Sequence, residues 1–119
     1  MDAYLKSGRT YYELQLYPMA VFEIRMALMR NKRLPEAYLV LGHINYALGE
    51  FEAALENYRR VIDLDAQCAM AQFRAALIYL RLDDEASARE AAACGARLDP
   101  ALLDSAELQD ESQKLKNLL

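Results

Sequence analysis

A period of 34 residues runs through the chain without a gap, and it limits the fold more than any other feature. In blocks beginning at Met1, Pro35 and Ala69, small residues stack in columns: Gly8, Gly42 and Ala76 in one, Ala20, Ala54 and Ala88 in another. Leu5, Leu39 and Phe73 form an apolar column, and Ala27, Val61 and Gly95 one of small to medium side chains. Tyr11, Asn45 and Tyr79 fill a column of large or polar ones. Two helices approach closely only where one side chain nearly vanishes, so the Gly/Ala columns imply helical hairpins in which a small residue faces a bulky knob.

Each block reads as two helices and a turn. In the second, Ala37, Tyr38, Leu41, Ile44 and Leu48 follow helical spacing, Gly49 interrupts, and Phe51, Ala54, Leu55, Tyr58 and Ile62 resume it. Glycine takes a left-handed turn conformation at little cost. The matching positions are Gln15 and Asp83, of which Asp tolerates that conformation and Gln takes it at about 1 kcal/mol or more. The first turn is therefore expected to be the looser one. Pro18, Pro35 and Pro100 all fall at expected helix boundaries, where a missing N–H leaves no bond unmade.

The second block resembles the tetratricopeptide-repeat (TPR) family through Tyr38, Leu41-Gly42, Gly49, Phe51, Ala54 and Tyr58, departing from the family pattern at Asn45 and Ala66. The first block matches at Tyr4, Gly8, Tyr11, Tyr17, Ala20 and Ala27, and the third at Tyr79, Ala88 and Pro100. The resemblance implies an all-α fold: a right-handed α-solenoid of three helix-turn-helix hairpins (1–34, 35–68, 69–102), in one domain spanning 1–119. A C-terminal capping helix over about 103–119 is expected to close it, because an uncovered array end exposes apolar surface. Leu108, Leu115, Leu118 and Leu119 have helical spacing there, and Asp110 with Lys114 is expected to form an i,i+4 ion pair.

In that family the first helix of each hairpin lines a peptide-binding groove. The resemblance places Leu5, Arg9 and Tyr12, then Leu39, Val40, His43 and Tyr46, then Met70, Phe73, Arg74, Leu77 and Arg81 in the groove. Members that grip a terminal carboxylate use Lys, Asn and Arg at positions held here by Leu5, Arg9, Val40, Met70 and Arg74, of which only Arg74 matches. Too few charge-assisted donors remain for that mode. An apolar strip with Tyr12 and Tyr46 beside it and Arg9, Arg74 and Arg81 at its edge instead suits a helical or extended segment with hydrophobic anchors and acidic flanks. The expected function is that of an adaptor or chaperone-like protein-binding module. Three repeats with an apolar groove, and the run Phe73, Ala76, Leu80, Ala88, are also similar to the type III secretion translocator chaperones. The other reading is an excised interaction or oligomerisation domain of a larger regulator or enzyme.

The remaining chemistry points away from catalysis. His43 is the single histidine, and Cys68 and Cys94 lie in neither metal-type nor redox-type spacing, which suits small half-buried thiols in a reducing compartment. Asp63, Asp65, Asp83, Asp84 and Glu85 lack the glycine and terminal Glu of a calcium loop and sit at helix ends, where Asp84 and Glu85 complement a helix dipole. Each of the four glycines serves a repeat position, a turn or a break, so no loop is left to cradle phosphate. No cofactor or metal is expected. A net charge of −4 without a basic run argues against nucleic acid, and no apolar run of membrane-spanning length occurs. These features imply a cytoplasmic protein whose partner is another protein or peptide, and they are compatible with a homo-oligomer.

Overall fold

The computed structural model describes residues 2–119 and is all-α. The helices are α1 (Ala3–Glu13), α2 (Tyr17–Arg30), α3 (Pro35–Ala47), α4 (Phe51–Leu64), α5 (Ala69–Arg81), α6 (Glu85–Leu98) and α7 (Ser112–Leu118). They divide between two compact units, one ending at Leu64 and one starting at Asp65.

In the first unit α1 packs on α2, α3 on α4, and α2 and α1 on α3. Its core gathers Leu5, Ala20, Ile24, Ala27, Ala37, Val40 and Ile44, with Tyr4, Tyr11, Tyr12 and Tyr17 packed against them. The small-residue column does what close approach requires. A Cβ on Gly8 would collide with the Ile24 side chain, and one on Gly42 would lie 2.8 Å from the ring of Tyr58. Both knobs are fully buried, each on the second helix of its hairpin.

The second unit pairs α5 with α6 but reverses the arrangement. Ala76 and Ala92 are both fully buried, and the close approach falls where α6 supplies the hole: a Cβ on Gly95 would lie 2.8 Å from the Phe73 ring. In the earlier blocks that pair of columns holds Leu5 with Ala27 and Leu39 with Val61. Here a larger knob has been matched by a vanished partner.

All three hairpin turns share one geometry. Gln15, Gly49 and Asp83 have φ of 62°, 77° and 59°. In each, two N–H groups return to the preceding helix: Gln15 to Tyr12 and Leu16 to Tyr11, Gly49 to Tyr46 and Glu50 to Asn45, Asp83 to Leu80 and Asp84 to Tyr79. This paired closure satisfies carbonyls that a helix end would otherwise leave open. The Gln15 turn keeps the same bonds as the glycine turn, at 2.9 and 2.9 Å against 3.1 and 2.8 Å, so it is no looser. Strain is carried in its φ, not released by opening. Pro18 lies in the first turn of α2, Pro35 begins α3, and Pro100 follows the end of α6.

The closing segment corrects the expectation of one helix from about 103. After Pro100 the chain makes two short 3-10 turns, Pro100–Asp104 and Ala106–Leu108, and becomes α-helical only at Ser112. Extended Ser105 separates the two 3-10 turns, and Leu103, Leu108, Leu115 and Leu118 are all buried. α7 packs on both α5 and α6, and Arg89 Nη1 donates to the Leu118 carbonyl at 3.3 Å. The ion pair also shifts: Lys114 lies 3.4 Å from Glu111, while Asp110 falls in the turn before α7.

Candidate functional site

In the first unit the residues expected in a groove split by burial. Leu5 and Val40 are in the core; Arg9, Tyr12, Leu39, His43 and Tyr46 are partly exposed. The ring of Tyr12 stacks on His43 at 5.9 Å between centroids and meets Tyr17 at 6.1 Å. His43 Nδ1 and the Tyr58 hydroxyl are 2.6 Å apart, so a half-exposed imidazole satisfies the hydroxyl of a tyrosine whose ring fills the space over Gly42. Tyr46 meets Phe51 edge-on at 5.5 Å. The result is an aromatic surface fixed from behind by a core hydrogen bond.

Its charged edge is partly neutralised. Arg9 Nη1 lies 2.6 Å from Glu36, with the two side chains 43% and 38% exposed. That Glu36 would offset the basic edge was not anticipated. Tyr58 as the partner of His43 was also missed. The signal available was the 16-residue step that pairs Gly8 with Ile24 and Gly42 with Tyr58, which puts position 58 directly beneath the helix that carries His43.

In the second unit Met70, Phe73 and Leu77 are buried, so with Leu5 and Val40 five of the six residues expected as an exposed apolar strip serve as core. For Phe73 the physical reason is the close approach at Gly95, whose missing side chain makes room for the ring. Arg74 donates through Nη2 to the Glu107 carbonyl at 3.0 Å, tying α5 to the closing segment, and Arg81 is exposed.

Other reactive groups serve structure. Burial pushes the Cys68 thiol above its usual range, with the Asp65 carboxylate adding to the effect, so the thiolate is disfavoured at neutral pH. Asp84 caps α6 by accepting from the Ser87 N–H at 3.1 Å, and hydrogen bonds from the Ser87 side chain and backbone hold its carboxyl below the usual range. Among the described residues no three His, Cys, Asp or Glu side chains converge as metal ligands, and no helix is long and apolar enough to cross a membrane.

Fold and repeat together define an all-α helical-repeat protein. Residues 42–83 match the family model described as TPR repeat. Among solved structures the chain is similar to MamA, at 25% identity and a TM-score of 0.77, over 97% of this chain and 73% of that one. It is also similar to the Yersinia enterocolitica type III secretion chaperone SycD in complex with a peptide of the translocator YopD, at 18% identity and a TM-score of 0.79, over 98% and 86%. A third similar structure is the first TPR of Spaghetti (RPAP3) bound to the HSP90 peptide SRMEEVD, at 16% identity and a TM-score of 0.80, over 96% and 88%. No curated protein sequence matches the chain.

Proposed function

We propose that this chain is a protein-interaction module that binds an apolar peptide segment of a partner, and that Tyr12, Leu39, His43 and Tyr46 on the first unit make the primary contact. The observation that carries the reading is the half-exposed aromatic surface, held rigid by the 2.6 Å His43–Tyr58 bond. Rigid aromatic surface gives contact area at low entropic cost, which is why such side chains dominate binding energetics. Solved structures of the same fold hold peptides of YopD and of HSP90, which supports peptide binding as the use of the fold. The ligand class differs from the acidic chain end. With Arg9 engaged by Glu36, hydrophobic anchors dominate and the acidic flanks contribute little.

A displayed library of apolar and amphipathic peptides supplies the ligand for a test. Leu39→Glu, at a partly exposed position, is expected to lower the affinity of selected peptides at least about tenfold while leaving the far-ultraviolet dichroism unchanged. Unchanged affinity removes this face from the binding site. Phe73 is unsuitable for the same purpose, because it is fully buried and a glutamate there would bury an unpaired charge in the hairpin.

A further inference from the structure

The outer face of α2 is apolar where a solvent-facing helix surface would be expected to be polar. Met19, Phe22 and Met29 are 47%, 63% and 76% exposed, and Met26 is partly so. Their successive spacings of three, four and three residues place all four within an arc of about 80°, nearly opposite the core face made by Ala20, Ile24 and Ala27. A single-sided core helix needs no such second stripe. The spacing is that of a two-helix seam, with Met19 and Met26 at one core position of the heptad and Phe22 and Met29 at the other. At its start Met19 and Phe22 join Tyr11 and Pro18 around a shallow apolar hollow.

We propose that this stripe is a self-association surface on which α2 of a second copy packs antiparallel about a two-fold axis. The flanking charges select both the occupant and its direction. Glu23 and Arg30 border the seam on one side and Arg25 on the other, all at the heptad positions that form interhelical ion pairs. A parallel pair would set Arg25 of each copy against Arg30 of the other, two like-charge contacts. An antiparallel pair sets Met19 against Met29 of the second copy, Phe22 against Met26 of the second copy, and Glu23 against Arg30 of the second copy, twice over by symmetry. The two Arg25 side chains then share the far flank, where long stems let both heads extend into water. Among the described residues Arg30 makes a 3.9 Å approach to Asp2 and sits 5.9 Å over the Tyr4 ring, at 64% exposure, contacts weak enough to let it turn across the seam. The self-complementary charge pattern is what a two-fold contact requires, since one patch must satisfy itself. The seam is about 15 Å long, shorter than a standard interface, so association is weak, on the order of 0.1 mM.

Sedimentation equilibrium of the full chain from about 1 µM to about 1 mM reads this directly. A monomer–dimer equilibrium is expected, weakened more than about tenfold by Phe22→Glu and about fivefold by Glu23→Arg, with Glu23→Arg/Arg30→Glu returning close to wild type. Circular dichroism of each variant is expected to show that the helices persist, since Phe22 and Arg30 are exposed and Glu23 is partly so. A chain that stays monomeric throughout the range overturns the proposal, as does a Phe22→Glu variant that associates like wild type. A double reversal that fails to restore association overturns the antiparallel pairing.

Discussion

Gln15 holds a φ of 62°, a conformation that costs a residue with a Cβ about 1 kcal/mol, while the same turn in the second hairpin uses Gly49. Gln15→Gly is accordingly expected to stabilise the chain by about 0.5–1 kcal/mol in urea denaturation, the relieved strain being partly offset by the greater freedom of the unfolded glycine. Asp83→Gly should gain less, because aspartate tolerates this region. A second residue-scale consequence concerns pH. Hydrogen bonds from Ser87 depress the Asp84 carboxyl, so its contribution is fully present above its unfolded pKa of about 3.9 and is lost as pH falls through the lower folded value. The melting-temperature gap between wild type and Asp84→Ala should therefore be constant from neutral pH to about 5 and narrow below about 4. A gap that stays constant down to pH 2 would show that the carboxylate does not carry the cap. Both turn positions were legible in the sequence because the repeat aligned them with a glycine. The looser first turn expected from Gln15 is not found, since the backbone bonds hold that turn closed.

At the scale of the helix, six hairpin elements were legible because small columns, proline boundaries and apolar periodicity agree within each block. The closing segment was not. Its leucines fit a helix in sequence, but the chain breaks at extended Ser105 and turns again before Ser112, and apolar periodicity does not report such breaks. The candidate site was half legible for a related reason. Groove position along a helix follows from the repeat, whereas depth depends on how closely the second helix approaches, and Gly95 brings α6 near enough to bury Phe73. That local match of knob and hole is specific to the third hairpin. Gly95→Val, which installs the residue of the second block, should destabilise by about 2–3 kcal/mol by overpacking. Adding Phe73→Leu, again the second block's residue, should recover at least about half of the loss. Additive effects of the two changes in chemical denaturation would break the proposed pairing.

For the molecule as a whole, fold class and the absence of long apolar spans could be read before any coordinates, because a 34-residue period states the architecture three times over. Which side chains stay exposed could not, because the exposure of the α2 stripe and the neutralisation of Arg9 by Glu36 depend on neighbours that no period specifies. The close contacts that set each hairpin also have a temporal meaning. Gly8 meets Ile24, Gly42 meets Tyr58 and Phe73 meets Gly95, each within a stretch shorter than one block. These contacts are local in sequence, so each hairpin can begin to form before the next has emerged from the ribosome.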